Sequence, residues 1–140
     1  MKYLLDTCVV SELIKARPSK GVVDWIGGCD EESLFLSVLT IGEVQKGIAK
    51  LDDGKRRYEI QRWLNWDLRK RFAERMLPVD ERISLNWGIL QAKAEKDGTP
   101  VPTINGLIAA TAITHNLTVA TRDEGGLRHT GARVINPWAS

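Results

Sequence analysis

The chain has 140 residues, of which 43% are hydrophobic and 27% charged, and its 20 basic and 18 acidic side chains leave a formal net charge of +2. This length corresponds to one domain, residues 1–140, that buries about two-thirds of its unfolded surface. No apolar stretch approaches the ~18 residues of a membrane span, and the net charge is too low for a protein that binds nucleic acid by bulk charge alone.

Two further features indicate a cytoplasmic protein. Residues 1–6 contain only a few apolar side chains before a carboxylate, whereas a signal peptide needs a longer apolar region. Cys8 and Cys29 are the only cysteines and have no Cys-x-x-Cys spacing, so we expect reduced thiols and no zinc site.

Apolar runs typical of strands alternate with helical periods along the whole chain. In chain order, the pattern predicts a strand over 3–5, helices over 9–15 and 18–28, a strand over 34–38, helices over 41–51 and 55–75, a strand over 76–79, helices over 80–96 and 103–115, and strands over 117–121 and 133–136. Thr40 and Asp80 are the expected starts of two of these helices, and Asn116 is a plausible left-handed residue at the end of another.

This alternation predicts an α/β fold, a three-layer sandwich in which helices flank a central, mostly parallel sheet. The predicted strands are nearly continuous apolar runs, as expected when both faces of a sheet are covered. In such sheets, ligands bind at the carboxyl ends of the strands, so polar residues at these ends are the candidates for a functional site.

Four polar side chains are expected at this carboxyl edge. Asp6 directly follows the first strand, and Glu43 lies in the first turn of the helix after the second strand. Asn105 lies in the first turn of the helix at 103–115, and Asp123 lies two residues beyond the strand that ends at Thr121. The topology therefore predicts that residues far apart in sequence converge.

Clustered carboxylates raise one another's pKa unless a cation lies between them. Oxygen ligands without His or Cys favour a hard ion, Mg²⁺ or Mn²⁺, and we expect Asp6, Asn105 and Asp123 to be its ligands. Such an ion activates a water molecule and neutralises charge on a phosphate. The sequence therefore predicts phosphodiester hydrolysis at this edge.

Each residue also has a structural alternative. Asp6 could cap the first helix, and Asp123 could belong to a polar turn. The segment from Thr40 to Glu43 fits a capping box, in which the glutamate returns to the threonine amide. Asn105 could be a polar residue at its helix start.

Five segments resemble PIN-domain ribonucleases, specifically the VapC-type toxins and the FitB-like proteins of bacterial toxin–antitoxin pairs. They are residues 4–7 (LLDT), 36–43 (LSVLTIGE), 102–112 (PTINGLIAATA), 117–123 (LTVATRD) and 134–138 (VINPW). Each motif is modest alone, but their order and spacing together cover nearly the whole chain.

The resemblance implies a PIN fold, a central parallel sheet between helices, and an endoribonuclease that depends on Mg²⁺ or Mn²⁺. It also implies a small antitoxin whose C-terminal segment occupies the active-site groove, and a toxin that forms a homodimer. Operator DNA would be bound only through the antitoxin.

Residue by residue, Asp6, Glu43 and Asp123 match three acidic positions of the family site. Thr7 and Thr121 match neighbouring hydroxyl positions that can support the carboxylates or their waters. Asn105 occupies the fourth acidic position, where the family normally has aspartate, and Cys8 replaces the usual Asn or Ser.

The amide of Asn105 keeps the shape of aspartate and one acceptor oxygen but loses the charge. Two unit charges ~4 Å apart interact by about 4 kcal/mol at an effective dielectric constant of ~20, so metal affinity and turnover should fall. Either the chain is a natural, weakened variant, or a native aspartate has been replaced to disarm a toxic nuclease. The alternative to an enzyme is a catalytically impaired module that acts by binding its antitoxin and regulating its operon.

Two surface features have open interpretations. The helix predicted over 55–75 is crowded with Lys and Arg, either as a face that follows RNA phosphates or as a solvated face paired with Glu59, Asp67 and Glu74. Five tryptophans could line an antitoxin groove or stack on bases, or they could belong to the core or a dimer interface.

Overall fold

Five short parallel strands form the centre of the computed structural model, which describes residues 1–139. They are Tyr3–Leu5 (β1), Leu34–Ser37 (β2), Met76–Leu77 (β3), Thr118–Ala120 (β4) and Val134–Ile135 (β5). Their order in the sheet is β3-β2-β1-β4-β5, and each neighbouring pair is parallel. Because β1 lies in the middle, between β2 and β4, the residue after β1 is surrounded by the ends of both neighbours.

The helices connect these strands. They are Thr7–Glu12 (α1), Lys20–Gly28 (α2), Val38–Ala49 (α3), Lys55–Arg62 (α4), Arg69–Arg71 (α5), Glu81–Lys96 (α6), Thr103–His115 (α7) and Glu124–Leu127 (α8), with a 3₁₀ turn at Glu31–Ser33 and a π-helical segment at Trp63–Leu68. Among the described residues, no helix combines the length and apolar character that crossing a bilayer requires.

Each face of the sheet has its own hydrophobic core. Leu5 packs into one core with side chains of α1 to α3 and the π-helical segment. Leu4, the preceding residue, packs into a second core with α6, α7 and α8. This division follows from the alternation of side chains along a strand, and it confirms the three-layer α/β sandwich predicted from the sequence.

The start of α3 differs from the prediction. Ser37 ends β2 and caps α3, since its hydroxyl accepts a 3.1 Å hydrogen bond from the Leu39 N–H. Thr40 therefore lies inside the helix, where its side chain is buried. As a result, Glu43 lies in the second turn of α3 rather than the first.

The helix predicted over 55–75 is also different. It passes through the π-helical segment and ends at Arg71. Arg75 then donates to the carbonyl oxygens of Glu31, Leu34 and Arg71 at 2.6–2.7 Å. These bonds tie the chain to the start of β2 and satisfy a carbonyl at the helix end, so the helix stops before Arg75.

Two predicted helix boundaries are confirmed. Asp80 caps α6 by accepting a 3.0 Å hydrogen bond from the Ile83 N–H. Asn116 ends α7 in the left-handed conformation, with φ of 56° and ψ of 46°.

Candidate active site

Asp6 lies at the carboxyl end of the central strand, β1. Its Oδ1 accepts a 2.9 Å hydrogen bond from the Thr7 N–H, and its Oδ2 accepts a 2.8 Å hydrogen bond from the Thr121 hydroxyl. Its own N–H donates to the Ala120 carbonyl at 3.0 Å. Asp6 therefore caps α1, as the structural alternative proposed, and also faces the end of β4.

Glu43 reaches the same edge from α3. The Thr7 hydroxyl donates a 2.6 Å hydrogen bond to Glu43 Oε1. The capping-box interpretation of Glu43 is wrong, because Thr40 lies inside the helix and the carboxylate turns to Thr7 instead. Thr7 thus connects two of the candidate acids, Asp6 through its amide and Glu43 through its hydroxyl.

Asp123 and Asn105 meet on the other side of Asp6. The Asp123 N–H donates to the Thr121 hydroxyl oxygen at 3.0 Å, and Asp123 Oδ1 accepts a 3.0 Å hydrogen bond from the Gly126 N–H. Asn105 lies in the first turn of α7, as predicted, and its Nδ2 donates to the Gly126 carbonyl at 3.2 Å. The structure therefore brings all four predicted side chains to one edge, linked through Thr7, Thr121 and Gly126.

The electrostatics of Asp6 reflect this crowding. Burial raises the pKa of its carboxyl, and the charges of Glu43 and Asp123 raise it further. The hydrogen bonds from Thr121 and Thr7 act in the opposite direction. A cation placed among these oxygens would favour the ionised form and reverse the raised pKa.

The donors present suit a hard cation. Carboxylate, hydroxyl and amide oxygens surround this edge, and no described hydrogen bond engages Asn105 Oδ1. Within residues 1–139, no group of three or more His, Cys, Asp or Glu side chains is arranged to hold a metal ion. Mg²⁺ binds through one or two carboxylates and keeps several waters, so Asp6, Asp123 and the Asn105 oxygen fit an ion held largely through water.

Sequence reasoning missed Gly126 and singled out Cys8 only through the family resemblance. Gly126 belongs to α8, a short helix that was not predicted, and it bonds both Asp123 and Asn105. The Gly125-Gly126 pair, two residues after Asp123, was the available signal, but it is equally typical of a turn. Cys8 Sγ lies 3.5 Å from the Thr121 hydroxyl oxygen and accepts a 3.4 Å hydrogen bond from the Arg122 N–H.

An apolar groove of about 260 Å³ adjoins the site. It lies between α1, α3 and α4, and Glu43 forms part of its wall. Its apolar lining is Ile14, Val44, Ile48, Leu51, Ile60 and Trp63.

Residues 3–132 match the family model of the PIN domain. The chain belongs to the PIN-domain family. It is 40% identical over 135 residues to the VapC ribonuclease Y4jK of Sinorhizobium fredii, which covers 96% of each chain. It is 37% identical over 135 residues to Toxin FitB of Neisseria gonorrhoeae, covering 96% of this chain and 97% of FitB.

The solved structure of FitAB bound to an IR36 DNA fragment has the same architecture. It matches with a TM-score of 0.91 at 35% identity, over 97% of this chain and 95% of that one. These relatives place this PIN domain with the VapC and FitB toxins of toxin–antitoxin systems, and they confirm the fold expected from the sequence motifs.

Proposed function

We propose that this PIN domain is a metal-dependent endoribonuclease toxin that hydrolyses RNA phosphodiesters, weakened by Asn105. The observation that carries this proposal is the set of hydrogen bonds joining Asp6, Glu43, Asn105 and Asp123 at one sheet edge. The 40% identity to a protein named a VapC ribonuclease supports RNA as the substrate.

The roles of the side chains follow from their positions. Asp6, Asp123 and the Asn105 oxygen would hold Mg²⁺ or Mn²⁺, which supplies charge neutralisation and water activation when bound. Thr121 orients Asp6, and Thr7 orients Glu43. Glu43 is then fixed on the opposite side of Asp6 from Asp123, where its carboxylate can accept a proton from the attacking water.

Three variants test this proposal in an RNA cleavage assay with a magnesium titration. Asn105→Asp should raise cleavage, because it restores a charge at the cation site. Asp6→Ala in that background should abolish cleavage. Asn65→Asp adds the same charge on the exposed face of the π-helical segment and should leave cleavage unchanged. Equal cleavage by all four proteins would overturn the assignment.

Asn105 also favours a second candidate, a catalytically impaired module that acts through antitoxin binding and operon autoregulation. The neutral amide donates to the Gly126 carbonyl and brings no charge to the cation site. Calorimetric titration with Mg²⁺ and Mn²⁺ separates the two. Binding in the micromolar range supports the enzyme, whereas millimolar or absent binding supports the module.

The proposed partner is a cognate antitoxin that occupies the apolar groove beside Glu43 and carries any contact with operator DNA. The FitAB complex with DNA supports such an assembly. Gly47 lines the groove and has open space around it. Gly47→Arg should prevent capture of the product of the adjacent short reading frame, whereas Gly27→Arg, at an equally open position on α2, should not.

We also propose a homodimer. Leu85 and Ile89 lie one turn apart on α6 and are 62% and 71% exposed, an apolar face that a second copy would cover. Ile89→Asp should shift the protein to monomer in light scattering, while Val23→Asp, on α2, should not. A monomeric unmodified chain would contradict the homodimer.

A further inference from the structure

Arg122 lies at the sheet edge where Asp6, Glu43 and Asp123 converge. It lies between Thr121, which bonds Asp6, and Asp123, which caps α8. Its N–H donates to Cys8 Sγ at 3.4 Å. These contacts fix the position of the Arg122 backbone relative to Cys8, Thr121 and Asp123.

The guanidinium of Arg122 stacks on an aromatic ring. Its Cζ lies 5.2 Å from the centroid of the Trp138 ring. The Trp138 N–H donates to Asn136 Oδ1 at 2.9 Å, and the ring packs against the core on the α1 and α2 side of the sheet. A cation–π contact with a half-buried ring restrains the guanidinium without using its hydrogen-bond donors.

The side-chain donors of Arg122 have no acceptor among residues 1–139. No described ion pair or side-chain hydrogen bond involves this guanidinium. The nearby acid, Glu12, is already engaged, since Lys15 and the Ser19 N–H hold the pKa of its carboxyl below the usual value and the charge of Arg122 only adds to this. Arg122 is thus an exposed cation whose guanidinium lies over Trp138 and whose backbone lies between two residues of the site, Thr121 and Asp123.

A cation here, in addition to the proposed metal ion, favours a polyanionic substrate. Asp6, Glu43 and Asp123 together repel an RNA backbone, and the net charge of +2 offers little general attraction. A planar guanidinium binds a phosphate through two parallel hydrogen bonds, which fixes orientation as well as adding charge. Because Arg122 is one residue from both Thr121 and Asp123, its side chain starts at the end of β4, where Thr121 contacts Asp6 and Asp123.

We propose that Arg122, stacked on Trp138, binds a backbone phosphate of the RNA strand next to the phosphate that is cut. This inference rests on the proposed function, because it takes single-stranded RNA as the substrate. In this arrangement Arg122 contacts the ligand, and Trp138 is a positioning residue that acts through Arg122.

The test measures binding of a short fluorescent single-stranded RNA by anisotropy, with calcium replacing magnesium, over a series of salt concentrations. Arg122→Gln should weaken binding about tenfold and lower the slope of log affinity against log salt by about 0.7, the value for one phosphate contact on a single strand. Arg122→Lys should keep the salt slope, because the charge remains. It should lose affinity, because an ammonium group cannot form the two parallel hydrogen bonds of a guanidinium.

Variants of Trp138 test whether its ring positions the Arg122 guanidinium, separately from the charge of Arg122. Trp138→Leu should lower affinity while leaving the salt slope unchanged, and Trp138→Phe should restore the affinity because it retains a ring. Trp138→Met, which also lacks a ring, is the variant to use if Trp138→Leu lowers the midpoint temperature of unfolding. Equal affinity of Trp138→Leu and the unmodified chain would overturn the positioning role.

The matched control is Arg69→Gln, which removes the same charge from α5. Arg71, two residues further on, pairs with Glu31 just before β2, so this segment lies at the amino edge of the sheet.

Equal effects of Arg122→Gln and Arg69→Gln on RNA binding would overturn the phosphate site at Arg122. RNA binding itself, and with it the proposed function, would still stand. Absence of RNA binding by the unmodified and Asn105→Asp chains would overturn both. Loss of antitoxin binding alone in Arg122→Gln would reassign Arg122 to a protein contact.

Discussion

Thr7 and Glu43, 36 residues apart in sequence, are joined by a 2.6 Å hydrogen bond from the threonine hydroxyl to the carboxylate. The bond connects the first residue of α1 to the second turn of α3. Because the Thr7 N–H also donates to Asp6, one residue sets the relative position of two candidate acids.

Thr7→Val should therefore lower metal-dependent RNA cleavage about tenfold or more in an Asn105→Asp background, since a hydrogen bond to a charged group contributes about 1.5–3 kcal/mol. Thr7→Ser keeps the hydroxyl and should stay close to the parent. Single-turnover cleavage rates check this prediction. Equal rates for the valine and serine variants would show that Thr7 does not position Glu43.

Gly126 is the point where Asp123 and Asn105 meet. A Cβ at this position would lie 2.6 Å from Asn105 Nδ2 and would clash with Asp123 Oδ2. Gly126→Ala should therefore displace both side chains and weaken Mn²⁺ binding, measured by electron paramagnetic resonance, about tenfold. Gly125→Ala, the neighbouring position with open space around its Cβ, should bind like the parent. The idea fails if the two alanine variants bind Mn²⁺ equally well.

The raised pKa of Asp6 has a consequence for stability. Burial first, and then the charges of Glu43 and Asp123, hold the pKa of this carboxyl above its ordinary value of 3.8 in the folded chain. In the pH range between 3.8 and the raised pKa, the folded chain binds more protons than the unfolded chain. The free energy of unfolding therefore falls as pH rises through that range and stays lower above it.

Asp6→Asn removes this titration. The variant should be more stable than the parent at neutral pH, and its advantage should disappear as pH falls toward 3.8. Urea denaturation at a series of pH values measures the difference, with Asp24→Asn on the exposed face of α2 as control. Adding Mg²⁺ should stabilise the parent and not the variant. Parallel pH profiles for parent and variant would contradict the cause assigned to the raised pKa.

The convergence of the four site residues followed from the sequence because it depends on topology. Parallel strands place their carboxyl ends at one edge, so Asp6 and Asp123 were expected at the same edge, and the pairing of β1 with β4 brings them together. The position of Glu43 was correct for the same reason, although its helix starts earlier than predicted. The capping-box pattern was misleading because the buried Ser37 hydroxyl at the end of β2 caps the helix first.

Other features depend on contacts that no local pattern records. The short helix α8 follows its cap, Asp123, and contains two glycines, which local propensity assigns to a turn. The helix predicted over 55–75 ends early because Arg75 donates to carbonyl oxygens far back in the sequence. One of them is the Glu31 carbonyl, 44 residues earlier. The predicted partners of the basic residues, Asp67 and Glu74, make no described ion pair, whereas Glu59 lies 3.9 Å from Lys55.

Arg75 connects the end of the helical segment at 55–71 to the start of β2. Its side chain is 9% exposed and donates to three carbonyl oxygens, and its Nη2 pairs with Glu31 Oε2 at 2.7 Å. Arg75→Met should destabilise the fold by about 2–4 kcal/mol, because it leaves buried acceptors unpaired. Arg71→Met should cost about 1 kcal/mol or less, since Arg71 is 36% exposed. Comparable losses in urea denaturation would show that the carbonyl contacts of Arg75 are unimportant.

Glu31 gives the complementary pH dependence. The Arg71 hydrogen bond, and then that of Arg75, lower the pKa of its carboxyl from 4.5 to about 2. A depressed folded pKa means that this stabilisation is complete above pH 4.5 and is lost as pH falls toward 2. Glu31→Gln should therefore lower the free energy of unfolding by about 1–2 kcal/mol at pH 7. This is less than the whole pKa shift would give, because the carboxylate is 43% exposed and screened by solvent. The free energy of unfolding of Glu31→Gln should also fall less than that of the parent as pH decreases from 4.5 to 2. The control is Glu32→Gln, whose partner Arg75 Nε lies 3.9 Å away, and it should follow the parent. If Glu31→Gln loses as much stability as the parent over this pH range, the acid sensitivity belongs to other carboxylates.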